Sequence, residues 1–184
     1  IKKKQMKMIQ GLEQAYNIKH IKEGEDYILS FSKENSRDMI IRNDLDKQLL
    51  MFSDNVLFPP DEAQLRAAGE KLLTIVGKVI KEQLISVREI QIQGHADTDP
   101  SSVYPSNLDL AAARAIEVFK FFQEKVEIDP ALCLMSATSF GEFKPVQRAA
   151  VDSTFNKKKL YEANKNSLSK AKNRRVEVLL FYHK

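Results

Sequence analysis

Two side chains of opposite charge stand where short elements can turn them toward one spot. Asp97 sits in Gly94-His95-Ala96-Asp97-Thr98-Asp99, and Arg114 in Asn107-Leu108-Asp109-Leu110-Ala111-Ala112-Ala113-Arg114-Ala115. A carboxylate accepts hydrogen bonds from an ammonium group, and a guanidinium forks onto a carboxylate through two parallel bonds. Together such a pair grips a zwitterion. A free amino-acid end is a ligand of that kind.

The flanking elements must position the pair. Ile90 and Ile92 alternate with Gln91 and Gln93, which predicts a strand over 88–95 ending at Gly94. The loop 98–106 is rich in Pro and Ser, and a helix is expected from about Asn107 to Val126. At about 100° per residue, Leu108, Ala112, Ala115, Ile116, Phe119, Phe122 and Val126 make its apolar face. Asn107, Leu110 and Arg114 share a direction well away from that face. A strand end and a helix N-terminus then bracket one concave spot, where free N–H groups add a field that favours anions. On pattern alone, a solvated Arg114 and a turn-forming Asp97 fit better.

Residues 1–17 read as a helix, with Ile1, Gln5, Met8, Ile9, Leu12 and Tyr16 at helical spacing. Two readings stay open: a helix packed on the domain, or a stalk or dimer helix leading out of a membrane. Tyr27, Leu29 and Phe31 suggest a strand, Lys33 to Asp38 a polar turn, and Met39-Ile40-Ile41 a return strand. Leu49 to Phe52 is a further short apolar run, and Phe58-Pro59-Pro60 stops regular structure. Asp61 is expected to cap a helix whose face is Leu65, Ala68, Leu72, Ile75, Val76 and Val79. A strand over Leu132 to Ala137, a helix around Lys158 to Ser169 and a strand over Val176 to Tyr182 complete the chain. From Gln48 the order is β-α-β-α-β-(α)-β, an α/β sandwich with one helical layer. The division expected is an N-terminal helix with a linker or hairpin region over 1–47, and the main domain over 48–184.

The 184 residues are 43% hydrophobic without Trp, so Phe and the aliphatic side chains must build the core. The net charge of +4 is spread rather than blocked, which is compatible with nucleic acid, an anionic polymer or a membrane surface. The single Cys133 rules out an intrachain disulfide and a Cys-rich zinc site, and its apolar neighbours mark it as a buried, inert thiol. No run approaches the roughly 18 consecutive apolar residues of a spanning helix. From the start at Ile1-Lys2-Lys3-Lys4, without Met, the expectation is a fragment whose upstream part is a membrane anchor.

Three other chemistries fall short. His95, Asp97 and Asp99 are suitable metal-ligand types, but a distant fourth ligand is not evident. Cell-wall hydrolysis calls for a paired acid and base or a motif such as H-E-x-x-H, and neither is present, so the chain reads as a binding module and not an enzyme. Nucleic-acid binding would fall to the Lys-rich 157–172 and Arg174-Arg175, where Tyr161 is the lone interleaved aromatic residue.

Several blocks in order carry a family resemblance: Val56-Leu57-Phe58 with Ala63, Leu65 and Gly69; Ile90 to Asp97; Asn107, Leu110, Arg114 and Ala115; and Asn173-Arg174-Arg175-Val176-Glu177. Over roughly 48–183 the chain resembles the OmpA-like peptidoglycan-binding domain. Its layout, with the extra segment 1–47, is similar to MotB-type and ZorB-type stator subunits. The resemblance implies an OmpA-like sandwich, a mixed sheet with helices on one face. It also implies noncovalent binding of peptidoglycan through the diaminopimelate of the stem peptide, with no cofactor and no metal. Asp97, Arg114, Asn107, Leu110, Thr98, Phe58, Asn173 and Arg174 are the ligand-binding residues it implies. It further implies a periplasmic, membrane-anchored homodimer with a membrane-embedded partner subunit and no specific nucleic acid. An outer-membrane lipoprotein-type tether of the same fold is the alternative, ahead of a nucleic-acid-binding module. The chain departs from the family in a loop before Asn107 that is about two residues longer, in Ser106 where many relatives carry an aromatic residue, and in the basic tract 149–172.

Overall fold

The computed structural model describes residues 1–33 and 36–184. The polar turn expected over Lys33 to Asp38 includes Glu34 and Asn35, which lie outside the described residues. Among the described residues seven strands form one sheet: β1 (Ile21–Glu23), β2 (Asp26–Leu29), β3 (Met39–Asn43), β4 (Lys47–Ser53), β5 (Val87–His95), β6 (Leu134–Gly141) and β7 (Arg175–Tyr182). Their order is β1-β2-β3-β4-β7-β5-β6. β5 and β6 run parallel, joined by a crossover helix, and the other pairs among the described residues are antiparallel. The helices are α1 (Lys2–Tyr16), α2 (Asp54–Leu57), α3 (Ala67–Glu82), α4 (Asn107–Glu124), α5 (Lys157–Glu162) and α6 (Ser167–Asn173).

Strand periodicity sets the core. Register places Ile41, Leu50, Val178 and Ile92 side by side across four strands, and all four are fully buried. They share one hydrophobic core with Leu73, Val76 and Ile80 of α3 and with Ala115, Val118 and Phe122 of α4. This is the mixed sheet with its helices on one face that the strand–helix alternation and the family resemblance together implied.

The N-terminal helix belongs to the same core. Met8, Ile9 and Leu12 of α1 are fully buried. Gln5 Nε2 donates to the carbonyls of Asp44 and Lys47 at 2.7 and 2.9 Å. At Gly11 an added Cβ would come within 2.8 Å of Val79 Cγ1, so α1 and α3 touch closely. Of the two readings of residues 1–17, packing on the domain is the one the structure shows, and the apolar stripe is spent inside the molecule. β1 to β3 extend the sheet beyond β4, so this N-terminal region continues the architecture of the rest.

Several expectations are corrected. Asp61 does not cap a helix: α3 begins at Ala67, and Asp61 adopts a left-handed φ of 57°. The Pro59-Pro60 turn carries on to Arg66, so Leu65 is buried ahead of the helix and Ala68 is exposed. α4 is also rotated from its expected setting. Leu108 and Ile116 are 49% and 46% exposed, while Asn107, Leu110, Ala111, Arg114, Ala115 and Val118 are buried. Counting apolar side chains misplaced the face because Arg114 is a charged residue on the buried side. The strand expected at Leu132 to Ala137 runs from Leu134 to Gly141. The strand through Phe31 ends at Leu29. The helix expected around 158–169 is two short helices. Asn156 caps one by accepting from Lys159 N, and Asn166 caps the other by accepting from Ser169 N.

Candidate functional site

The site is assembled where β4 and β5 end and β7 begins, beside the start of α4. β5 delivers Asp97 two residues past its last paired residue. Asp97 Oδ1 accepts from Asp99 N at 2.8 Å, which turns the chain and fixes the carboxylate. α4 starts at once because Ser106 caps it, accepting from Asp109 N at 3.2 Å and donating to Asp109 Oδ2 at 2.7 Å. Gly94 lets strand and helix meet: a Cβ there would lie 2.0 Å from the Ala111 carbonyl oxygen. Asn107, at the first turn, directs its amide to the carbonyls of Asp97 and Asp99 at 3.1 and 3.0 Å and to Glu142 Oε2 at 2.8 Å.

A chain of alternating charges lines the resulting cavity of about 300 Å³. Arg114 Nη1 donates to Asp54 Oδ2 at 3.1 Å. Arg174 Nε lies 3.4 Å from that same oxygen, and Arg174 Nη1 donates to Asp97 Oδ2 at 2.5 Å. Arg114 is also held from its other edge, donating through Nε to Glu62 O at 2.8 Å and through Nη2 to Pro59 O at 3.3 Å. Its guanidinium carbon lies 5.0 Å from the centre of the Phe58 ring. Asp54, Asp97 and Arg114 are buried, whereas Arg174 is half-buried. Burial alone would lower the Arg174 pKa, but the hydrogen bond to Asp97 and the charges of Asp54 and Asp97 outweigh it and raise the value.

Asp61 fastens one rim to the other. Its carboxylate accepts from Ser101 Oγ at 2.5 Å and from Ser102 N and Oγ, both at 2.7 Å. Those bonds bring its pKa down to about 2. The long loop before Asn107 is thereby pinned to the Pro59–Pro60 turn.

Asp97, Arg114, Asn107, Leu110, Phe58 and Arg174 are brought together around this cavity. Thr98 lines a second hollow instead. Asn173 is fully buried behind the site, donating to Ala163 O and Asn164 Oδ1 at 2.9 Å each and accepting from Val146 N at 3.0 Å. It therefore braces the strand that presents Arg174. Sequence reasoning missed Asp54, whose one signal is an acid at a strand end ahead of Phe58-Pro59-Pro60. It also missed the Asp61–Ser101 link, which joins residues 40 apart.

Beneath the site lies a second charged group. His95 Nε2 is 3.2 Å from Glu177 Oε2, and Glu177 Oε1 accepts from Arg175 Nε at 3.1 Å. The His95 ring stacks on Phe140 at 5.3 Å between centroids. Burial pushes the His95 pKa down. Burial alone would raise Glu177, but His95 and the Arg175 charge bring it to about 2. His95 thus faces Glu177, while Asp97 takes Arg174 and Asp99 takes Lys170 at 2.8 Å. Among the described residues no three His, Cys, Asp or Glu side chains are grouped to hold a metal ion. Cys133 is buried and free, with its pKa raised by burial.

A fold of this topology with paired charges at the strand ends defines a class. The OmpA family matches residues 57–159, more than half of the chain, and the chain belongs to that family. It is 28% identical over 134 residues to Motility protein B of Bacillus subtilis, a match that covers 72% of this chain and 44% of that protein. The chain thus spans less than half the length of this relative. Among solved structures, a putative MotB-like protein from Desulfovibrio vulgaris superposes with a TM-score of 0.69 at 20% identity, over 98% of this chain and 96% of the other. The cell wall anchor of the T6SS from Pseudomonas aeruginosa gives 0.62 at 22% identity, over 80% and 90% respectively. No helix among the described residues is long and apolar enough to cross a membrane.

Proposed function

We propose that the chain is a noncovalent peptidoglycan-binding module that anchors a membrane protein or ion-driven stator complex to the cell wall. The observation that carries this reading is the charge chain Asp97–Arg174–Asp54–Arg114 along one cavity. Diaminopimelate ends in an ammonium and a carboxylate on one carbon. Its ammonium replaces Arg174 as the partner of Asp97, and its carboxylate takes the guanidinium donors that this exchange releases. Leu110 and Phe58 face its methylene chain. Family membership and the likeness to a cell wall anchor support the same reading. In this proposal the protein works in the periplasm, tethered to a membrane, as a homodimer beside a membrane-embedded partner subunit, and carries out no catalysis. Because the apolar stripe of α1 is already buried, the dimer contact lies elsewhere.

Titration of a diaminopimelate-containing stem tripeptide tests the site. Asp97→Asn keeps the shape and removes the charge, and truncating one partner of a buried charge pair costs about 2–5 kcal/mol. We expect Asp97→Asn and Arg114→Ala each to abolish measurable binding. Arg114→Ala also loosens the Pro59–Glu62 turn, so circular dichroism must confirm its fold. Unchanged affinity in both folded variants would overturn the assignment.

A further inference from the structure

The basic tract after β6 builds a second hollow, of about 520 Å³, that the first site leaves unexplained. Phe143 and Tyr161 on its walls are 54% and 57% exposed. Single exposed aromatic residues are ordinary, but two facing one hollow, with Phe155 half-buried between polar neighbours, form a concentrated apolar surface. Cations interleave them. The Arg148 guanidinium lies 4.6 Å from the Phe155 ring centre, and Lys157 Nζ lies 5.8 Å from that of Tyr161. Arg148 is oriented by donating to Phe143 O at 2.7 Å. Flat apolar faces beside hydrogen-bonding cations suit a pyranose ring, which offers C–H bonds on one face and hydroxyl and acyl oxygens around its edge.

The two hollows share a wall. Thr98 lines the second and follows Asp97, which lines the first. Glu142 lines the second and accepts from Asn107, which lines the first. A stem peptide is joined to an amino sugar, and an extended tripeptide spans roughly 10 Å, enough to cross such a wall. We propose that the second hollow is a sugar subsite, taking the amino-sugar ring that carries the stem peptide whose diaminopimelate lies in the first cavity. This rests on the peptide reading of the first cavity.

Calorimetric titration with two probes separates the two ideas: the stem tripeptide alone, and the same tripeptide carrying its N-acetylmuramoyl group. A linked second contact acts at high effective concentration, so the muramoyl form is expected to bind about tenfold tighter. The double variant Phe143→Ala/Tyr161→Ala and the single variant Arg148→Ala alter exposed side chains. Each is expected to erase most of that difference while tripeptide affinity stays at the wild-type level. Equal affinity of the two probes for the wild-type protein overturns the sugar subsite and leaves the peptide site standing. Parallel losses for both probes in the variants also overturn it, because they would mark these residues as merely structural. Competition by a short single-stranded RNA for the sugar increment would reassign the aromatic walls to base stacking. If the tripeptide itself fails to bind, the peptide reading falls first and the sugar reading with it.

Discussion

Arg114 and Arg174 divide one task between them. Arg114 is buried and spends donors on two backbone carbonyls, so it holds a wall as well as a charge. The Arg174 side chain is half-buried and pairs with the carboxylates of Asp97 and Asp54, so a ligand can exchange with it more readily. His95 and Glu177 lie under this arrangement and couple it to acid. In the fold Glu177 titrates at about 2 against its usual 4.5, and His95 titrates below its usual 6.5. At pH values below the usual ones, the unfolded chain therefore binds protons that the fold refuses. The stability from both groups is complete above their unfolded values. As pH falls it is lost first through His95 below 6.5 and then through Glu177 from 4.5 toward about 2. Urea melts at about pH 7.5 and about pH 5 should show a lower midpoint in acid for the wild type and a smaller acid loss for His95→Gln. An equal loss in both would remove His95 from the cause.

At the scale of elements, the approach of β5 to α4 decides whether a site exists. Gly94→Ala would drive a methyl into the Ala111 carbonyl oxygen, 2.0 Å away. The strand and helix must separate, at a cost of about 3 kcal/mol, and Asp97 moves away from Arg174. Denaturant titration should show that loss, accompanied by weakened tripeptide binding; a variant with wild-type stability would show that the two elements have room to part. The same pair of elements shows what a sequence discloses. The alternation of Ile90 and Ile92 made β5 legible, and Asn107, Leu110 and Arg114 were correctly grouped on one stripe. The setting of α4 was not legible, because a buried, paired arginine looks like a solvent-facing one until its partner is known. That partner, Asp54, is 60 residues distant in the chain. The break between α5 and α6 was legible in principle: Asn156 and Asn166 stand three residues before the amides they cap, and Lys-rich composition hid them.

At the scale of the whole molecule, the excess of +4 is the difference between 29 basic and 25 acidic residues. Many of these pair locally at the surface, as Arg42 does with Asp26 and Arg37 with Glu23. Arg174, which counted toward a basic stretch in the sequence, is paired with Asp97 and Asp54, and Arg175 with Glu177. Those two are withdrawn from any phosphate-binding stripe, leaving the exposed lysines of α5, α6 and the turn between them, of which Lys159 and Lys165 face nearby acids. Binding to a short DNA or RNA should therefore be weak and diffuse. It should fall by about tenfold or more between roughly 50 and 200 mM salt, since it depends on counterion release alone. The proposed stem-peptide binding has a different physical basis: the charges would meet inside a cavity whose Asp97 and Arg114 are 5% and 3% exposed. Salt screens such enclosed pairs far less than exposed ones, so the same change should weaken it by about threefold at most. Parallel titrations over the salt series, with labelled tripeptide and labelled oligonucleotide, distinguish the two. A sequence-selective nucleic-acid complex that stays tight at physiological salt, beside a tripeptide signal that vanishes, would transfer the function from the enclosed charges to the exposed ones.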